Sequence, residues 1–287
     1  MIYIHKTGSI NRKEGEELDV KAAWKAVSPA MIRRTDRFIQ LSLLGAFQAV
    51  GGVELDKETA LYMASGQGNL AVFKRLRDQR YIHKQPPKPV DFINSLSNTS
   101  GFYVAQFFGL QGKNLNVSRV SFVTQTLLLL AQNDLELAKV KKILFGGVDE
   151  FHEPVMFTRK TLGLCDETPL GEGSNWMLLS AEQEGALASI EVVEKEMDSV
   201  QLHAYLQGLE TSYKVAFGQR CSQEMADEML SGGDRERFEY EEGCGFYETA
   251  PLYALNRFVQ EGEGKLVFID TFNDKYQLIT VENLPRF

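Results

Sequence analysis

Short apolar runs rich in β-branched residues alternate from end to end with segments of near-helical periodicity, and this alternation limits the fold more than any other feature of the chain. Strands interleaved with helices argue for an α/β protein whose sheet is covered on both faces. In the first pass, strands are expected at 2–4, 59–64, 115–117 and 143–145, the last stopped by Gly146 and Gly147. Helices are expected to open at Ser28-Pro29-Ala30 and run through Ile32, Phe38, Leu41, Leu44, Ala46 and Phe47 to Gly51-Gly52, and again at 70–76, 98–108 and 121–134. Residues 79–90, with Pro86, Pro87 and Pro89, read as a surface loop. The second pass places strands at 176–180, 188–193, 213–217, 265–269 and 276–281, and helices at 200–209, 222–230 and 249–259. Two similar passes suggest a duplicated layout, halves 1–150 and 151–287 of one unit spanning 1–287, although no residue-level repeat is present.

The 287 residues suffice for a large core, and 44% hydrophobic with 24% charged residues is an ordinary globular balance. A net charge of −8 argues against a non-specific nucleic-acid binder, which needs a basic face. No apolar run reaches the roughly 18–20 residues of a membrane span. The three cysteines (Cys165, Cys221, Cys244) and four histidines (His5, His83, His152, His203) are scattered, so neither a disulfide framework nor a metal site is expected. A reducing, cytoplasmic location is the default, with no cofactor. The run 127–130, four leucines, is apolar around the helix and is expected to be buried on all sides.

Several segments carry a resemblance. NTSGFYVAQFFGLQGKNLNVS at 98–118 is similar to the stretch of β-ketoacyl synthases with "FGLxGPN" and "VS" that leads into the nucleophile. FGGVDE at 145–150 resembles that family's "GGxE", and LGEGSNWMLL at 170–179 its "GEGAxxLVL". RTDRF at 34–38 fits its "DR" helix. Order and spacing hold over about 28–281, so the chain resembles the ketosynthase branch of the thiolase superfamily. The resemblance implies a five-layered αβαβα fold with mixed sheets and an edge-to-edge dimer. It also implies a cysteine nucleophile at a helix start and two histidines that stabilise the developing oxyanion.

Carried over residue by residue, those positions hold other side chains. Ser121, three residues after Val117-Ser118, stands at the nucleophile. YKVAFG at 213–218 matches "YxxxHGT" and puts Phe217 at the first histidine. EEGCGF at 241–246 matches "KSxxGH" and puts Phe246 at the second and Glu241 at the lysine. TFND at 271–274 replaces the glycine-rich "GFGG" loop, which brings Phe272 to the site. A serine without a base is a poor nucleophile, and phenylalanine donates no hydrogen bond to an oxyanion.

Each residue also has a plainer reading. Ser121 is either a helix N-cap or an acylated, tunnel-facing serine. Phe217 and Phe246 are core aromatics or, with Phe272, line an acyl tunnel. Gly171-Glu172-Gly173 is a turn before a strand. Arg119, Lys139, Lys141 and Lys142 are a solvated helix face or a docking patch for an acidic carrier protein. Cys244 is a small buried residue. The segment GCGFYETA at 243–250 looks like the "CGEYxTAS" variant of aryl-polyene-type pigment clusters. The resemblance therefore implies a catalytically degenerate, chain-length-factor-like subunit that pairs with an active ketosynthase, or with itself, and meets an acyl carrier protein. An acyltransferase or hydrolase using Ser121 and a non-catalytic scaffold are the alternatives.

Overall fold

The structure, a computed structural model, describes residues 1–29, 34–209, 212–231 and 235–285. Elements follow in the order β1 (Ile2–Lys13), α1 (Val20–Val27), α2 (Arg37–Val50), β2 (Ala60–Ser65), α3 (Leu70–Tyr81), α4 (Pro89–Asn94), α5 (Asn98–Phe108), β3 (Asn114–Ser118), α6 (Val123–Glu136), β4 (Lys142–Asp149), α7 (Val155–Leu162) and β5 (Gly171–Ser180). Then come β6 (Ala188–Val192), α8 (Ser199–Gln207), β7 (Lys214–Phe217), α9 (Gln223–Leu230), β8 (Glu236–Arg237), α10 (Ala250–Glu261), β9 (Lys265–Phe272) and β10 (Lys275–Asn283).

The ten strands form one mixed sheet in the order β3-β2-β4-β5-β1-β6-β10-β9-β7-β8. Read from its outer edges inward, each half repeats one pattern: third strand, second, fourth, fifth, first. In the first half only β5 runs against the others, and in the second only β10 does. The halves meet where β1 pairs antiparallel with β6 over Ile2–Ile4. The duplication is thus written in the topology without a repeat in the residues. β5 completes the first pattern and β6 begins the second, so residues 181–187 join the two patterns.

Side-chain alternation sorts the core into layers. In β2, Ala60, Tyr62 and Ala64 join one core cluster and Leu61 and Met63 another. In β9, Leu266 and Phe268 face inward while Val267 and Ile269 face outward. The inward residues of both halves pack on α6 and α10, which touch strands of each. Helices α1, α2 and α5 cover the outer face of the first half, and α8 and α9 that of the second. These are the five αβαβα layers.

Local corrections have physical causes. The helix expected from Ser28 does not start there: Ser28 closes α1, its N–H donating to the Trp24 carbonyl at 2.9 Å. Ala30 and Ile32 lie outside the described residues. The next helix starts at Arg37, where Asp36 accepts from the Ile39 N–H at 3.3 Å. Within 79–90, α3 persists to Tyr81 and α4 begins at Pro89. Gly146, Gly147 and Gly171–Gly173 are neither strand stop nor turn but lie inside β4 and β5. A Cβ on Gly146 would come 2.2 Å from the Trp176 ring, so the glycine admits a packed side chain rather than a bend. In the leucine run, Leu127 and Leu128 are fully buried, but Leu130 is 40% exposed.

Candidate functional site

β2 pairs with β4 in parallel, as β7 does with β9, and residues at and beyond their carboxyl ends meet in one crevice. Such carboxyl-end crevices are where α/β sheets bind ligands. At the end of β4, the buried Asp149 accepts from Ser65 Oγ (2.9 Å), the Gly66 N–H (2.8 Å), and both the N–H and Oγ1 of Thr249 (2.9 Å each). It ties β2, β4 and the start of α10 together. Burial pushes its carboxyl above the ordinary value, and the four donors oppose that.

Beside it lies an ion pair absent from the sequence reading. Arg220, just beyond β7, makes a two-pronged contact with Glu248: Nη1 to Oε2 at 2.8 Å and Nη2 to Oε1 at 2.5 Å. The Glu248 side chain is 4% exposed. Burial raises the Glu248 carboxyl to about 7 even though Arg220 pulls it down. The guanidinium sits 4.8 Å from the Phe246 ring centre and 5.4 Å from that of Phe272. Glu248 also fills the space in which a Cβ on Gly66 would fall, so the pair spans the crevice from the second half to the first. Deeper down, Gln125 of α6 donates to Asp270 of β9 at 3.0 Å.

The three expected phenylalanines do not converge. Phe246 and Phe272 flank Arg220, and Phe246 is tied to the start of β5: its N–H donates to the Pro169 carbonyl (2.7 Å) and its carbonyl accepts from the Gly171 N–H (3.0 Å). Phe217 instead joins the outer core of the second half, where Arg237 lies 5.7 Å from its ring. It lines a separate groove of about 230 Å³ with Pro169, Gln219 and Glu241. Glu241, at the family's lysine position, pairs with Arg237 at 3.0 Å.

Ser121 is not the cap of α6. That position falls to Phe122, in the left-handed region at φ 49°, with no side-chain cap bond. Ser121 is half-buried, and its side chain has no hydrogen-bond partner among the described residues. The four basic residues do not form one patch. Arg119 donates to Thr126 Oγ1 at 2.9 Å near the start of α6. Lys139 reaches Asp134 at 3.5 Å beyond its far end, with Lys141 and Lys142 following. A helix of 14 residues separates them by about 20 Å. Cys244 is buried, its thiol pushed up to about 12 by burial.

Two groups missed by the sequence reading complete the crevice. Glu150 and His152 follow β4 and line a small chamber with Phe246 and Glu248. Burial, with Asp36 and Glu172 nearby, raises Glu150 to about 8. Burial, with Lys74, lowers His152 to about 4. Glu172, fully buried in β5, is held by Arg37 and by Arg12 at 2.9 Å. In the sequence Glu172 stood only as the middle of the Gly171-Glu172-Gly173 segment, read as a turn. Among the described residues no acidic, cysteine or histidine group forms a metal site, and no helix is long and apolar enough to cross a membrane.

No protein-family model and no curated protein sequence matches the chain. Solved structures do. The ishigamide ketosynthase/chain length factor superposes with a TM-score of 0.76 at 14% identity, covering 99% of both chains. A β-ketoacyl synthase from Burkholderia phymatum STM815 gives 0.69 at 11%, with 99% of both covered. The ketosynthase ApeO in complex with its chain length factor ApeC from Xenorhabdus doucetiae gives 0.55 at 16%, over 96% of this chain and 98% of that one. With the duplicated strand order and the five layers, these likenesses give the chain the thiolase-like fold of ketosynthases and chain length factors.

Proposed function

We propose that the protein is a non-condensing ketosynthase-like subunit that works beside an active ketosynthase, in the manner of a chain length factor, on chains borne by an acyl carrier protein. The observation that carries this reading is the filled crevice. The Arg220–Glu248 pair and the rings of Phe246 and Phe272 occupy it, and the sequence resemblance aligns Ser121, Phe217 and Phe246 with the nucleophile and the two histidines. Decarboxylative condensation needs a thiolate and two imidazole donors for the developing enolate; Ser121 supplies no thiolate, the phenylalanines donate nothing, and the Arg220 guanidinium is taken up by Glu248. The likeness to structures described as a ketosynthase/chain length factor and a ketosynthase with its chain length factor supports the same role.

The surface supports a partner. Among the described residues β3 ends the sheet and pairs only with β2, which leaves its outer backbone groups open to another chain. Next to it stand Phe102 of α5, 58% exposed, and Val120, 52% exposed. An edge strand flanked by apolar side chains is a docking surface rather than a solvent face. The acyltransferase alternative draws less support, since Ser121 has no base within reach among the described residues. Co-expression with a ketosynthase from the same gene cluster, followed by affinity purification and mass measurement, tests the proposal. A stable one-to-one complex is expected. A homodimer that ignores every such ketosynthase contradicts it.

A further inference from the structure

A groove of about 310 Å³ opens between α3 and α7, with Leu70, Phe73 and Phe157 on its walls. This volume lies at the lower end of the range of small-molecule sites. Gln67 and Thr158 line the groove and also the chamber that holds Glu150 and His152, so the two spaces adjoin. The chamber itself has room for about one water-sized group, roughly 20 Å³. His152 is only 6% exposed, and its Nε2 has no hydrogen-bond partner. A buried ring nitrogen left unmatched is costly unless something else meets it.

We infer that groove and chamber form one channel for a linear aliphatic chain whose buried end is an uncharged hydroxyl. The apolar walls suit the chain. The end group follows from the chamber's chemistry. Asp149 already takes four donors and Glu248 is paired with Arg220, so neither calls for a cation. An anionic head would lie against these carboxyl groups, and the nearest cations are engaged. Lys74 donates to the Glu153 carbonyl at 3.1 Å, and Arg77 is bound to Asp78. Glu150 receives a single donor, the Ala71 N–H at 3.2 Å. A hydroxyl both donates and accepts, so it satisfies His152 Nε2 in either tautomer and can still reach Glu150. Thr158 Oγ1 donates to the His152 carbonyl at 3.2 Å, which fixes the histidine relative to α7.

The inference concerns the isolated chain and does not depend on a ketosynthase partner. Calorimetric titration at pH 7 with 1-octanol and with octanoate tests it. One saturable site for 1-octanol is expected, with octanoate about tenfold weaker or not binding. Thr161→Trp, on the outer wall of the groove, should abolish the site while leaving the thermal melt unchanged. His152→Leu should weaken 1-octanol about tenfold, the equivalent of one lost hydrogen bond. Absence of saturable uptake by the unmodified chain, octanoate binding as tightly as the alcohol, or full binding by Thr161→Trp overturns the assignment.

Discussion

The two half-sheets share one strand order but end differently. The first half finishes in β3, five residues long, with Phe102 and Val120 exposed beside it. The second finishes in β8, only two residues long. Their ends at the crevice differ as well. The first half contributes Asp149, Glu150 and His152, all polar and titratable. The second contributes Arg220, Phe246 and Phe272, which close the space. A duplicated scaffold has divided its labour: one half offers an edge and the other locks the crevice.

The lock gives the largest expected effect. At pH 8, where Glu248 is ionised, Arg220→Ala strands its buried carboxylate without a partner and should cost about 3–5 kcal/mol in urea unfolding. Replacing both residues, Arg220→Met with Glu248→Leu, should be nearly neutral. A loss below about 1 kcal/mol in the single variant would mean that the crevice is not held by this pair. The edge comes next. Phe102→Asp should reduce capture of a ketosynthase about tenfold or more, with stability changed by less than about 0.5 kcal/mol. Val200→Asp, at a residue 76% exposed on α8, should leave capture unchanged. Equal effects at both sites would erase the distinction between the halves.

The titratable side of the crevice predicts a pH dependence. Glu150, near 8, and Glu248, near 7, hold protons in the folded chain that the unfolded chain releases at ordinary carboxylate values. Their ionisation therefore removes stability as pH rises to about 8. His152, near 4, acts the other way, but only below its unfolded value of about 6.5. Between pH 6.5 and 8 the histidine no longer opposes the carboxyl groups, and burial shifts Asp149 and Asp270 in the same sense, so Tm should fall by a few degrees. Glu150→Gln should flatten that slope, and a Tm that rises over this interval contradicts the assignment. The smallest effect distinguishes two serines. Ser222 caps α9 by accepting from the Met225 N–H at 3.2 Å, so its loss should cost about 1 kcal/mol. Ser121→Ala should cost less than about 0.5 kcal/mol, because Ser121 caps nothing.

Layering was legible because apolar runs and helical periods report burial directly. α5 was predicted at its observed bounds, and the alternating passes foretold the duplication. Glycines misled, since Gly146 and Gly171 serve close approach inside strands, which a single sequence does not separate from turns. Ser28-Pro29 imitated a helix start, while the effective cap, Asp36, sat inside the "DR" motif. The contacts of the crevice were not legible in the sequence. Alignment aimed both Phe217 and Phe246 at the crevice, yet strand alternation turns Phe217 to the outer layer. The Arg220–Glu248 pair joins residues 28 positions apart, and no local pattern announces it.

A scaffold without condensing machinery of its own forms no carbon–carbon bond when alone. Intact-mass measurement of carrier-bound products tests this most directly, after the isolated chain is incubated with acyl- and malonyl-loaded carrier protein. No β-ketoacyl product is expected from the chain alone, and product should appear when a ketosynthase with its cysteine and histidines is purified with it. A β-ketoacyl product formed by the isolated chain would contradict the account.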